Sequence, residues 1–408
     1  MKRESFLTVL IKKTAVYVSL PAVAVLLLTS LGCASSQLDS ARSHYFAGRL
    51  QAADDRLEEL PDKGGKDEVL FLMERGTIRQ ELGKYDESAN DLRKAAELIK
   101  GLDTYSLSRG ATSLLTDDNV LSFKGKPFEH TLLYATLAKN YMALGNWDFV
   151  GISGRNILEH LEQLDGYPDI AYGRYMAGVC LDIMNDPGNA AIQYRKVREI
   201  VPSIAVDPDT GFIFASTTLP KIVQENPESP EELVDPKTSP PPAGMPSQLI
   251  CFFGASTYSF SNLREGQSWI EIYANGLFLG SGFVLSDTSL LMAATKQREL
   301  AKELGKTALR IATKESISAV VSNQNEVLGA LTRLLLYSTE RPDTRHWETL
   351  PRILGVAKVY CPEKLTSVEV HFKNATGKTL LKKTIVSPLV RRGNTWYAFF
   401  TDIIPSAE

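Results

Sequence analysis

Basic excess, histidine and cysteine are all scarce in this chain, and each shortage closes a class of function. The 408 residues carry 45 Lys and Arg against 48 Asp and Glu, a net charge of −3, which leaves no basic footprint for nucleic acid. The five histidines, His44, His130, His160, His346 and His371, are scattered, with neither an H-E-x-x-H spacing nor a CxxC pair, so no metal or other cofactor is expected. A G-x-x-x-x-G-K-[ST] loop is missing, and "GLFLGSG" falls inside a hairpin pattern rather than opening a helix, so phosphate cradling is unsupported. A G-x-S-x-G nucleophile elbow is missing too. Long apolar runs stop early: after Leu31 none reaches the roughly 20 residues a spanning helix needs. What remains, 44% hydrophobic and 23% charged, is ordinary globular composition, long enough for two or three domains.

The N-terminus has the layout of an export signal: Lys2, Arg3, Lys12 and Lys13, then an uncharged stretch from Ala15 to Leu31 that ends in small residues. Leu28-Thr29-Ser30-Leu31-Gly32-Cys33 resembles the lipobox of bacterial lipoproteins, with Ser30 where Leu is commonest. That resemblance implies a signal peptide over 1–32, acylation of Cys33 and a lipidated N-terminus over 33–36. Ala34, rather than an acidic residue, is the companion of sorting to the outer membrane, facing the periplasm. Acyl chains at about 0.8 kcal/mol per buried methylene would hold the chain there without a spanning helix. With Cys33 committed to lipid, Cys180, Cys251 and Cys361 remain; Cys180 reads as a buried small hydrophobe, and a Cys251–Cys361 disulfide is left open.

From 37 to 221 the pattern is helical and repetitive. Gly48 and Gly83 lie 35 residues apart, close to the 34-residue period of tetratricopeptide repeats, in which each helix hairpin buries its apolar face on the next. Gly76, Gly83, Tyr85, Tyr141, Gly145, Trp147, Gly178 and Tyr194 fall at the small and aromatic positions such a core requires. Extra residues near 101–129 form an insertion, read either as a lid or as a surface excursion. Prolines crowd 222–246 ("ENPESPEELVDPKTSPPPAGMP"), an extended linker and domain boundary.

Beyond the linker the period becomes two. "SWIEIYANGLFLGSGFVL" predicts a hairpin turning at Asn275-Gly276, a second hairpin turns around Ala375-Thr376-Gly377, and "NTWYAFF" predicts a final strand. Helical spacing near 290–340 places Ile317, Val320, Leu328, Leu331 and Leu335 on one stripe, core or docking face. The fold class is α+β multidomain: an N-terminal all-α TPR-like solenoid and a small β-rich domain over 247–408, a sandwich or sheet with inserted helices.

"FKGKPFEHTLL" (Phe123 to Leu133) and "ERPDTRHWETLPRI" (Glu340 to Ile353), with the lipobox and the repeats, resemble a family of bacterial tetratricopeptide lipoproteins of unassigned activity. Its members tend to be encoded beside lipoproteins similar to activators of penicillin-binding proteins or to the curli pore. The resemblance implies an envelope role with a partner. Within the second stretch, Asp343, Arg345, His346, Trp347 and Glu348 could compose an acid–base site; the structural reading pairs Arg345 with Asp343 or another carboxylate and makes Trp347 a loop anchor on the sheet. The expected function is a non-enzymatic envelope scaffold that holds a protein or peptide partner in the groove of its helical array and reaches the membrane through Cys33. The alternatives are a peptidoglycan enzyme with its site near Asp343–Glu348, and a purely structural envelope protein.

Overall fold

A computed structural model describes residues 36–58, 65–108, 122–216, 236–256, 263–299, 301, 345–374, 376–386 and 389–406. The expected signal and Cys33, residues 109–121 of the 101–129 insertion, the first part of the linker, Asp343 and the apolar stripe from Ile317 to Leu335 lie outside the described residues. The chain folds as two compact units, Met1–Asp62 with Pro405–Glu408, and Lys63–Ile404. In the first, helix α1 (36–46) and helix α2 (Leu50–Glu58) are joined by a turn at Gly48, whose carbonyl accepts from the Ser406 amide at 3.0 Å.

The second unit begins with three helix hairpins: α3 (Glu68–Glu81) with α4 (Tyr85–Ser108), α5 (Pro127–Ala143) with α6 (Trp147–Glu162), and α7 (Ala171–Ile183) with α8 (Pro187–Ile200). One turn geometry recurs after the first helix of each. Gly83, Gly145 and Asn185 take positive φ (74°, 68° and 58°), and the next amide reaches back to a carbonyl five residues earlier: Lys84 to Arg79, Asn146 to Tyr141, Asp186 to Leu181. This left-handed cap satisfies the last carbonyls of a helix and reverses the chain in two or three residues. Gly48 (φ 76°) closes α1 in the same way, with the Arg49 amide on the His44 carbonyl.

Close helix contact follows from missing side chains. A Cβ on Gly76 would sit 2.7 Å from Leu92, and one on Gly178 would sit 2.6 Å from the Tyr194 ring, so α3 meets α4 and α7 meets α8 only because those positions are glycine. Gly154 gives the Cys180 side chain room in the same manner between α6 and α7. Buried polar groups fix the stagger: Asn140 of α5 accepts from Gln80 of α3 at 2.6 Å and donates to Ser88 of α4 at 2.8 Å, and Ser88 donates to the Gly76 carbonyl. α3 touches α5 and α5 touches α7, so the first helices line one inner face of the stack.

After a short antiparallel pair, β1 (Ile204–Val206) and β2 (Ile213–Ala215), the chain enters one eight-stranded sheet. Its strands are β3 (Ser247–Ala255), β4 (Ser268–Ala274), β5 (Leu277–Asp287), β6 (Ile353–Cys361), β7 (Ser367–Lys373), β8 (Thr379–Val386), β9 (Val390–Arg392) and β10 (Thr395–Thr401), in the order β8-β7-β4-β5-β6-β3-β10-β9. Neighbours are antiparallel except β3 and β10, which run parallel. Helix α9 (288–299) follows β5. Both expected hairpins form: Ala274 pairs with Leu277 across Asn275 (φ 52°) and Gly276 (φ 76°), and β7 turns into β8 beside Gly377 (φ 82°).

The sheet is not half of a sandwich; it curls on itself. Phe372 of β7 packs edge-to-face on Phe400 of β10 at 5.9 Å although four strands stand between them, and Lys383 of β8 donates to the carbonyls of Thr401 and Ile403. The inner face holds the core: Leu249, Cys251 and Phe253 of β3, Trp269 of β4, Val370 and Phe372 of β7, Ala398 and Phe400 of β10. The alternate residues turn to the helices, with Phe252 on the Tyr172 ring of α7, Tyr397 on Trp147 of α6, and the Tyr172 amide on the Ser286 hydroxyl. The hairpins and the sheet, expected as separate domains, thus share one packed unit. The end of the linker joins it: Asp207 accepts from the Thr238 amide at 2.6 Å and the Ser239 carbonyl accepts from Tyr360.

The thiols of Cys180, Cys251 and Cys361 are free and buried. Cys361 faces Ser247 and Cys251 faces Ala357, an offset of four residues along the ladder. At about 3.3 Å per residue that is roughly 13 Å, far beyond the reach of a disulfide.

Candidate functional site

The two stretches that carry the family resemblance are in contact. Residues 345–350 lie across the inner face of the stack and are held there by two buried glutamates, one on α3 and one on α5. Glu74 receives the Glu348 amide on one carboxylate oxygen and the Thr349 amide on the other, both at 2.9 Å. Glu129 receives the Trp347 amide at 2.7 Å and the Lys126 amide, at the start of its own helix, at 2.6 Å. A carboxylate facing two backbone donors is a strong, directional clamp, and here each one holds the backbone of the 345–350 segment, which turns at 348–349.

Side chains complete the seat. Trp347 is 2% exposed, and its indole N–H lies 3.0 Å from the Thr77 hydroxyl and 3.2 Å from that of Thr349. Arg345 pairs with Asp67 at 2.5 Å and lies over the Phe123 ring at 5.7 Å. The Phe123 amide donates to the Lys66 carbonyl, which joins the second stretch to the start of α3. Burial raises the Glu129 carboxyl to about 7, against the pull of the Trp347 and Lys126 amides and the Lys126 charge, with Glu74 adding to the rise.

Arg345 therefore meets another carboxylate, that of Asp67 at the N-cap of α3, and Trp347 anchors its loop to the helices rather than to the sheet. Of the groups named for acid–base chemistry, the Arg345 guanidinium is held by Asp67 and the Trp347 indole by Thr77, while the backbone amides of Trp347 and Glu348 are held by Glu129 and Glu74. Asp343 lies outside the described residues. The remaining expected positions are spread along the unit. Gly76 and Gly178 sit at helix contacts, Gly83 and Gly145 in the recurring turns, and Tyr85 opens α4. Tyr141 stacks on Phe149 at 5.0 Å, Trp147 faces Tyr397 of the sheet, and Tyr194 donates to Asp182 at 2.6 Å. Among the described residues no group of three or more His, Cys, Asp or Glu could hold a metal, and no helix is long and apolar enough to cross a membrane.

Glu74 and Glu129 were not foreseen as functional positions. Their signal is slight: Glu74 follows the apolar run Leu70–Met73, and Glu129 follows Phe128, with His130 and Thr131 between it and Leu132-Leu133.

One further surface feature belongs to the stack. Phe149 and Ile152 lie three residues apart on α6 and are 42% and 41% exposed. Met184, 39% exposed at the end of α7, lies against α6 at Gly151, where an added Cβ would come within 2.6 Å of its sulfur. Tyr141 of α5 stacks on Phe149, so the exposed apolar side chains of α6 are joined by one from α5 and by Met184 from the C-cap of α7, a patch centred on α6.

No protein-family model matches the chain, and no curated protein matches it. Among solved structures, a crystal structure of MamA protein is similar over 42% of this chain and 74% of its own, at 14% identity and a TM-score of 0.30. A MamA AMB-1 crystal form (41% and 73%, 16% identity, TM-score 0.27) and a MamA MSR-1 form (41% and 76%, 16%, 0.27) are similar to the same degree. Likeness of this depth transfers neither fold nor activity, and the hairpin stack rests on its own contacts.

Proposed function

We propose that this chain is a non-enzymatic interaction scaffold, tethered to the outer membrane by acyl chains on Cys33 and holding a protein or peptide partner on its helical array in the periplasm. The observation that carries the interaction role is the patch of Tyr141, Phe149, Ile152 and Met184. Single exposed apolar residues are ordinary on a protein surface, whereas adjoining ones centred on α6 expose area that a partner would cover. The groove expected to receive that partner is occupied between α3 and α5 by the chain's own residues 345–350. The partner is therefore assigned to the patch. The lipobox resemblance supports the tether, and the glutamate clamps support a rigid rather than a hinged scaffold.

The test is a photo-crosslinking residue at Ile152 of the full chain in living cells, with the same residue at exposed Glu97 of α4 as control. Position 152 should give one discrete adduct that position 97 lacks, and Cys33→Ala should move the chain out of the membrane fraction. Identical patterns at 152 and 97 would remove the interaction reading, and a Cys33→Ala chain still in the membrane fraction would remove the tether.

A further inference from the structure

A cavity of about 220 Å³ lies between the end of α7, the strands β3 and β6, and the β9–β10 turn. Its polar wall is made by Asp182, Asn185, Lys358, Arg392 and Tyr397. The two cations in that wall leave hydrogen-bond donors unused, although Asp182 and Asp207 attract the Lys358 charge. Lys358 is 8% exposed and its ammonium, a group with three donors, has one acceptor, the Thr210 carbonyl. Arg392 rests its guanidinium over the Trp147 ring at 5.1 Å, and its Nη1 is buried without a hydrogen-bond partner. Neither forms an ion pair with a carboxylate among the described residues. Asp182, the acid in the wall, is engaged by the Tyr194 hydroxyl at 2.6 Å.

A buried guanidinium nitrogen without an acceptor is costly, and its planar fork matches a carboxylate in two parallel hydrogen bonds. Val179 and Ile183 of α7, with Ile250, the cross-strand neighbour of Lys358, give the cavity its apolar lining. Burial lowers the Lys358 ammonium to about 8, so it still carries its charge at neutral pH. At about 30 Å³ per water, the volume corresponds to roughly seven waters, which suits a ligand about the size of one aromatic ring with a carboxylate.

We propose that this cavity binds a small apolar monocarboxylate, its charge held between Arg392 and Lys358 and its apolar body against Val179, Ile183 and Ile250. This site is separate from the patch centred on α6 and does not depend on the scaffold reading.

Benzoate and benzamide test it, since they share shape and differ in charge. Titrated calorimetrically into the full chain at neutral pH, benzoate should bind at least about tenfold more tightly than benzamide. Arg392→Gln, at the end of a short edge strand and checked for unchanged circular dichroism, should weaken benzoate about tenfold and leave benzamide within about twofold. Lys358→Met should weaken benzoate in the same direction. Equal affinity for the two probes, no binding of benzoate at about 10 mM, where affinity would fall below some 3 kcal/mol, or an unchanged benzoate affinity in Arg392→Gln would overturn the proposal.

Discussion

Replacing Trp347 by Ala should unfold much more than the loop that carries it. The side chain is 2% exposed among α3 and α5, so truncation removes a large apolar surface and leaves a cavity in contact with both helices. Truncating a buried Trp costs about 3–5 kcal/mol when the surroundings relax only partly. Trp347→Phe separates the contributions. It keeps the ring in the seat and deletes the indole N–H, whose acceptors are two threonine hydroxyls; Thr77 also has the Met73 carbonyl within 3.2 Å. Losing that hydrogen bond alone should cost about 1–2 kcal/mol. Urea unfolding followed by helical circular dichroism reads both values, with equal slopes required for the comparison. The reasoning fails if the Ala variant loses less than about 1 kcal/mol, because residues 345–350 would then rest on the helices without stabilising them. It fails equally if the helical transition is untouched while only a local tryptophan signal changes.

Other perturbations probe the stack and the clamp. Gly178→Ala drives a methyl to within 2.6 Å of a Tyr194 ring held by Asp182, and should cost about 1–3 kcal/mol, whereas Gly101→Ala in α4, with nothing within 4 Å, should gain about 0.5–1 kcal/mol; urea midpoints decide both. Glu129 has a carboxyl raised from 4.5 to about 7, so its folded form holds a proton that the unfolded chain has lost between those values. Its contribution is therefore fully present below about pH 4.5 and lost as pH rises through about 7, a change of about 3 kcal/mol. The stability of the native chain minus that of Glu129→Gln should shrink by that amount between mildly acidic and mildly alkaline buffer. A difference that stays constant with pH would mean the carboxylate is ionised throughout.

The parts legible in the sequence are those governed by neighbours along the chain. Gly83 and Gly145 announce left-handed caps, and Asn275-Gly276 announces a two-residue hairpin, because only a few residue types tolerate positive φ. Asn185 makes the same cap as the two glycines but is less distinctive, since Asn occurs in many other contexts. Period-two patterning identified β10 as a strand, yet nothing local says that it runs parallel to β3, whose partner residues lie some 147 positions away. The single curled sheet in place of a sandwich follows from such distant pairings. Trp347 illustrates the same limit at the candidate site. Its burial could be inferred from its type, but whether a loop Trp anchors to a sheet or to helices depends on which surface has carboxylates placed to receive the neighbouring amides. Glu74 and Glu129 supply them, and they stood out in the sequence only as charges on apolar helix faces.

The most direct test of this account is hydrogen exchange at the amides of Trp347, Glu348 and Thr349, which point at Glu129 and Glu74 instead of at another backbone. If the segment is a fixed part of the inner face, these three amides should exchange as slowly as those in the middle of α3 and α5, through the same global opening. Exchange at the rate of an exposed loop, with α3 and α5 still protected, would contradict it and return the inner face to an outside partner.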